Sequence, residues 1–331
     1  MNKLGIFVKD IGYDSGVVVS VRHLENTLRN AGISADVCYY SSDIELVKMI
    51  AGSNYACINL HALSYTDDTL NRILKIHDNV VVSIHSTLCN LQTEGDALER
   101  LIRYGNGTYR NLRFTCPSLC ETVGFNEFFR NEYLYLPNTF SYKCDDERLE
   151  SSIRERAERR TKKISLFSAY RPFKNMITQA AAVEMLSSIL DVELHLIDTQ
   201  SKSPIYKNLI KLTQMRDVPV IVHPQTDNYS CFVQEGDFDL GMQVSLSETF
   251  SYVAFEHMIQ GIPVLGSDSV PFSSRIASYS NVIDMKNKMY DLLSDPVRYI
   301  EASHNARQTA MNVNSENMHE AVQTVRQMLG E

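Results

Sequence analysis

At 331 residues the chain is too long for one typical domain and fits two of roughly 150 residues each. Its 32 Lys and Arg against 40 Asp and Glu give a formal net charge of −8, which disfavours DNA or an acidic membrane as a partner unless a local basic patch exists. Mixed charge without a low-complexity tract excludes a disordered or fibrous chain.

The seven cysteines are scattered, with no CxxC and no neighbouring histidine pair. Neither a disulfide framework nor a zinc site is indicated, and a reducing, cytoplasmic setting is expected. The first strand-like run begins at Leu4 with no signal-peptide pattern before it, and no apolar stretch is long enough for a transmembrane segment.

In chain order, short apolar runs alternate with helix-like segments. The first part holds runs at Leu4–Val8, Val37–Tyr40, Tyr55–Leu60, Val80–Ile84 and Tyr133–Leu136. The second repeats the habit at Ile164–Ser168, Val192–Ile197, Val218–Val222, Leu240–Val244 and Ile262–Gly266. Continuous apolar strands alternating with helices are expected of parallel sheets covered on both faces, so the fold class predicted is α/β, with two Rossmann-like domains. Val17, Val21, Leu24 and Leu28 form one helical stripe before the stop at Gly32, and Ser315 is placed to cap a last helix carrying Met318, Val322, Val325 and Leu329.

The polar stretch Ser141–Lys163 separates the two series of strands. It predicts a linker at 146–162 between domains at 1–145 and 163–331, with the last helix free to pack back on the first domain. The basic run Arg154–Lys163 includes Glu155 and Glu158 and reads as a solvated face rather than a polyanion site.

The segment SLSETFSYVAFEHMIQGIPVLGSD, Ser245–Asp268, carries the chemistry. A strand ending at Val244 leads into a polar turn, a helix from about Ser251 to Gln260, a stop at Gly261 and a buried strand opened by Pro263. Glu248 falls in the turn and Glu256 two helical turns further on. Amide groups around Phe250, Ser251 and Tyr252 concentrate partial positive charge at the carboxyl edge of a parallel sheet, which suits an anionic or hydroxyl-rich ligand. Carboxylates at two depths can accept from sugar and ribose hydroxyls. The bland alternative is a solvated loop Glu248 and a helix-surface Glu256.

The E-x7-E spacing followed by G-I-P-V resembles the signature of the large retaining family 4 of GT-B glycosyltransferases, in which two Rossmann-like domains face each other across a cleft. The resemblance implies that Glu248 contacts the donor sugar, that the Phe250–Tyr252 amides contact sugar and diphosphate, and that Glu256 holds the ribose. The family's glycines after the first glutamate and in the turn are replaced here by Thr249 and Ser251. In ISLFSAYRPFKN, Arg171 and Lys174 resemble the family's pair of cations on the donor diphosphate, with shorter spacing; two surface cations in a turn are the alternative. The run GYDSG, ending at Gly16, resembles the family's glycine loop without its adjacent glycine pair, and Leu136-Pro137-Asn138 resembles the segment closing its first domain. His85, at the end of a strand, stands where the family carries a histidine near donor sugar and acceptor. His61 also ends a strand, although a lone histidine is more often structural.

Asp237-Phe238-Asp239 spells the DxD of a different, metal-dependent glycosyltransferase architecture, but so short a motif arises readily by chance and is read as structural; no metal and no cofactor are expected. The implied activity is transfer of a sugar from a nucleoside diphosphate sugar, a UDP-sugar, to an acceptor hydroxyl with retention of configuration, by front-face attack in which the leaving phosphate helps take the proton. A saccharide or glycoconjugate acceptor is the default, with a hydroxymethylated DNA base as an alternative. The rival readings are a GT-B epimerase or phosphorylase and a nucleotide-sugar-binding protein without turnover.

Overall fold

The structure, a computed structural model, describes residues 2–10, 15–109, 111–142, 146–198, 203–215, 218–226 and 229–331. The chain forms two compact units, Met1–Tyr142 with Asn314–Glu331, and Lys143–Val313.

In the first unit the elements run β1 (Leu4–Lys9), α1 (Gly16–Asn30), β2 (Ala35–Tyr40), α2 (Asp43–Ala51), β3 (Cys57–His61), α3 (Asp67–Ile76), β4 (Val80–Ser83), α4 (Gly95–Arg103), β5 (Leu112–Cys116), α5 (Leu119–Phe128) and β6 (Tyr133–Tyr135). The strands form one parallel sheet in the order β2-β1-β3-β4-β5-β6. Every residue of β3 and β4 is buried, as a sheet covered on both faces requires. One face packs Phe7, Leu60, Val82 and Phe114 against α2 and α3; the other packs Ile6, Val8 and Val81 against Val21 and Leu24 of α1.

The second unit continues with α6 (Asp146–Glu158), β7 (Lys162–Leu166), α7 (Met176–Leu186), β8 (Val192–Asp198), α8 (Pro204–Thr213), β9 (Val220–Pro224), α9 (Tyr229–Gly236), β10 (Leu240–Gln243), α10 (Tyr252–Ile259), β11 (Val264–Gly266), β12 (Arg275–Ile276), α11 (Val282–Leu293) and the start of α12 (Pro296–Leu329), whose residues from Asn314 onward belong to the first unit. Its parallel sheet has the order β12-β11-β10-β7-β8-β9.

Both sheets reverse direction beside their first strand: β1 lies between β2 and β3, and β7 between β8 and β10. Open parallel sheets bind ligands outside the carboxyl ends of strands at such a reversal. In the first sheet that point is followed by the N-terminus of α1; in the second, by the loops after β7 and β10.

Three expectations are corrected. Strands β5 and β12 are additional to the predicted runs. The last helix does not start at Ser315: it begins at Pro296 and runs for 34 residues, because Asp295 accepts hydrogen bonds from the amides of Val297 and Arg298 and Pro296 fits the first turn. The basic run is solvated on one side only, where Arg154, Glu155, Glu158 and Arg160 are exposed. Arg156 and Lys162 are both buried, with Arg156 bonded to the carbonyls of Gln260 and Gly261 at the end of α10, and Lys162 Nζ bonded to the carbonyls of Arg156 and Ala157. Residues 146–158 of the expected linker are therefore a helix that packs Ile153 and Ala157 into the second unit.

Candidate functional site

The loops leaving β7 and β10 are sewn together. Leu246 donates its amide to the Phe173 carbonyl at 2.8 Å, and Asn175 Nδ2 donates to the Val244 carbonyl at 3.1 Å. Gln179 of α7 bridges them, donating to the Lys174 carbonyl and accepting from the Val244 amide, each at 2.8 Å. Asn175 sits at φ 53°, ψ 33°, a left-handed conformation that asparagine tolerates better than most residues. It is what turns the chain from the Pro172–Lys174 turn into α7.

This stitching brings Lys174 and Glu248 together. Lys174 Nζ lies 2.5 Å from Glu248 Oε1, and Ser245 Oγ donates to the same oxygen at 2.9 Å. The Glu248 side chain is only 7% exposed, which rules out a solvated loop carboxylate. Ser267 and Ser269, after β11, both donate to the Ser245 carbonyl and fix the turn from below. Arg171, two residues before the Phe173 contact, is exposed at the start of the same turn.

Ser251 is the N-cap of α10. Its hydroxyl accepts from the Ala254 amide and donates to Gln243 Oε1 at 3.2 Å, which ties the helix start to the end of β10. The amides of the first turn therefore begin beside the Lys174–Glu248 pair, and the partial positive charge of a helix N-terminus is concentrated there. Phe250 packs on Tyr252, Phe255 and Phe272. Glu256 is buried within α10 rather than on its surface. Burial, and then the Glu256 charge, push the hydroxyls of both Tyr229 and Tyr252 well above the usual tyrosine range, so that carboxylate acts on two phenols. Among the described residues the buried Tyr229 hydroxyl has no hydrogen-bond partner. Nothing in the sequence pattern singled out Tyr229 or Gln179.

The two acids of Asp237-Phe238-Asp239 belong to the fold. Arg159 pairs with both, Asp239 is fully buried and accepts from the Lys163 amide at 2.6 Å, and Arg156 reaches Asp237. These ties lock α6 to the start of β10.

In the first unit, His61 and His85 meet. His61 Nδ1 is 2.9 Å from His85 Nε2, and His61 Nε2 is 2.7 Å from Asn59 Oδ1. Burial holds His85 down to about 4 and His61 well below the usual histidine value, so both rings are neutral near pH 7. They border a small cavity also lined by Leu136, Pro137 and Asn138. Gly16 opens α1 behind the Ser15 cap, and a Cβ added to it would meet nothing within 4 Å among the described residues. Gly12, Tyr13 and Asp14 of the expected glycine loop lie outside the described residues.

No family model and no curated protein matches the sequence. Solved structures do match in shape. Sucrose-phosphate synthase from Thermosynechococcus elongatus superposes with a TM-score of 0.78 at 14% identity over 100% of both chains. The fold is that of the GT-B glycosyltransferases. Anabaena HepE in complex with UDP and glucose gives 0.74 at 14% identity over 100% of both chains, and a glycosyltransferase from Rickettsia africae gives 0.72 at 11% over 99% of this chain and 98% of that one. Among the described residues no helix is long and apolar enough to cross a membrane.

Proposed function

We propose that this chain is a retaining glycosyltransferase that moves a sugar from a UDP-sugar to a hydroxyl of a saccharide or glycoconjugate. The observation that carries the reading is the partly buried Lys174–Glu248 pair at the carboxyl edge of β7 and β10, beside the N-terminus of α10. A parallel-sheet reversal, a helix N-terminus, a cation and a carboxylate in one place fit a ligand with a diphosphate at one end and hydroxyls at the other.

Lys174 and the exposed Arg171 are assigned to the diphosphate, whose charge grows as the bond to the sugar breaks. Glu248, oriented by Ser245, accepts from sugar hydroxyls. The amides of Phe250, Ser251 and Tyr252 face sugar and diphosphate. Glu256 holds the ribose hydroxyls, and the unpartnered Tyr229 hydroxyl supplies a further hydrogen bond near it. In the first unit, Gly16 is assigned to the donor phosphates and His85 to the hydroxyls of donor sugar and acceptor. With no enzymic nucleophile singled out, the leaving phosphate takes the acceptor proton on the same face through an oxocarbenium-like transition state. The UDP and glucose bound to HepE, a protein of the same fold, support the choice of nucleotide.

The test is calorimetric titration with UDP, GDP and ADP, followed by nucleotide release from the matching sugar donors with saccharide acceptors. Acceptor-dependent UDP release with an unchanged anomeric configuration is expected. UDP binding without release in any acceptor would point to a binding protein, and no nucleotide binding would remove the reading.

A further inference from the structure

Strand β9 is an outer edge of the second sheet, and among the described residues no strand pairs with its far side. In a parallel ladder the N–H and C=O groups of successive residues turn to opposite sides. Leu194 donates its amide to the Pro219 carbonyl at 2.8 Å and stands opposite Val220. Pro219, Ile221 and His223 therefore serve β8, and the backbones of Val220 and Val222 point outward. The next outward-facing residue, Pro224, has no N–H to offer, so added pairing is confined to the stretch around Val220 and Val222.

A groove of about 840 Å³ runs beside this edge. Val218, Val220 and Val222, which share a face of the sheet, line it together with Ile210 of α8, and Val222 is 39% exposed. Lys207 and Lys211, one helical turn apart on α8, line it too. Among the described residues neither lysine has an ion-pair or hydrogen-bond partner, and no carboxylate lines the groove. One helical turn rises about 5.4 Å, and residues two apart on a strand are separated by about 6.6 Å. Two acids two places apart on an added strand can therefore each meet one lysine. A second copy of this chain does not supply that charge. Antiparallel pairing of two β9 strands about a twofold axis keeps α8 on one face of the joined sheet, which sets the lysines against their own counterparts.

We propose that the groove between β9 and α8 is a docking site for an acidic, extended peptide segment of a partner protein. The segment adds as a strand along Val220 and Val222, sets an apolar side chain on the groove floor and places two carboxylates on Lys207 and Lys211. No residue of the groove is among those assigned to donor or acceptor, and β8 separates β9 from β7. Docking and sugar transfer can therefore be measured separately.

The probe is an end-blocked peptide of about six residues, the usual length of a strand, built of valine and threonine with two glutamates two places apart. Titrated into the whole protein and followed by amide-resolved NMR, it is expected to shift the Val220 and Val222 signals saturably and to leave those of β10 unmoved. Lys207→Glu combined with Lys211→Glu, both on an exposed helix surface, should weaken binding about tenfold and transfer the preference to the same peptide carrying lysines in place of glutamates. Val222→Pro removes an outward-facing N–H while keeping the ladder to β8, and should also cost about tenfold in affinity. Unmoved β10 signals report that each variant is folded. No shift at Val220 and Val222, equal binding of the glutamate and lysine peptides, or binding indifferent to Val222→Pro would overturn the proposal. A concentration-dependent dimer that Val222→Pro dissolves would overturn it in favour of a second copy of the chain.

Discussion

Lys174 and Glu248 lie 74 positions apart in sequence and 2.5 Å apart in space, with side chains 23% and 7% exposed. Each therefore holds the other's charge in a partly desolvated site. Lys174→Met leaves Glu248 buried without its cation, and we predict a loss of about 1–3 kcal/mol. Most of it should return in the double variant with Glu248→Gln. Thermal unfolding of the four proteins gives the coupling, and additive losses would show that the pair is not an energetic unit.

A second prediction concerns Arg159. It is the shared partner of Asp237 and the fully buried Asp239. Arg159→Met strands a buried carboxylate and is expected to cost about 3–5 kcal/mol in denaturant unfolding. Because these acids are committed to the fold and the diphosphate is assigned to cations, sugar transfer should survive EDTA. Loss of transfer that manganese restores would return Asp237 and Asp239 to the reaction.

Acid should weaken the protein through its buried histidines. His257 is buried between Ser165 Oγ and the Val253 carbonyl, and burial holds it down to about 4. In the unfolded chain the same ring takes a proton below its ordinary value near 6.5. Between those two values the unfolded state binds more protons, so stability is full above the upper one and falls as pH drops, by up to about 1.4 kcal/mol per pH unit for each such histidine. His257→Gln should flatten that slope in melting curves taken from pH 7 to pH 4.5. An unchanged slope would mean that His257 is protonated in the folded state.

The fold was legible because buried parallel strands read as uninterrupted apolar runs, as in Val80–Ser83, and because caps such as Ser251 mark helix starts. Strand β5 escaped because Arg113 and Thr115 break its apolar run. The interior role of Arg156, Arg159 and Lys162 escaped because charged side chains look solvated until their distant partners are known; Arg159 and Asp239 are 80 positions apart. The same limit applies to the candidate site. Glu248 and Lys174 could be named from local motifs, but their contact, the Gln179 bridge and the His61–His85 pair depend on which strands are neighbours. Gly261 had a local reading as a helix stop, and its φ of +62° agrees. What only packing reveals is that a Cβ there would also come within 3.0 Å of Ile153 on α6. Gly261→Ala is therefore expected to lower stability by at least about 1–2 kcal/mol.

The central claim divides the work between two glutamates. Ribose hydroxyls do not change during transfer, so Glu256→Gln should weaken binding common to ground and transition states, whereas the sugar gains positive charge, so Glu248→Gln should act on turnover. The direct measurement is calorimetric titration of both variants with UDP alongside steady-state transfer kinetics. We predict roughly ten- to hundredfold weaker UDP binding for Glu256→Gln, from a lost charged hydrogen bond of about 1.5–3 kcal/mol. Glu248→Gln should keep its UDP affinity, or tighten it by freeing Lys174 for the diphosphate, with a comparable fall in kcat. Loss of UDP affinity in Glu248→Gln with full affinity in Glu256→Gln would contradict the account.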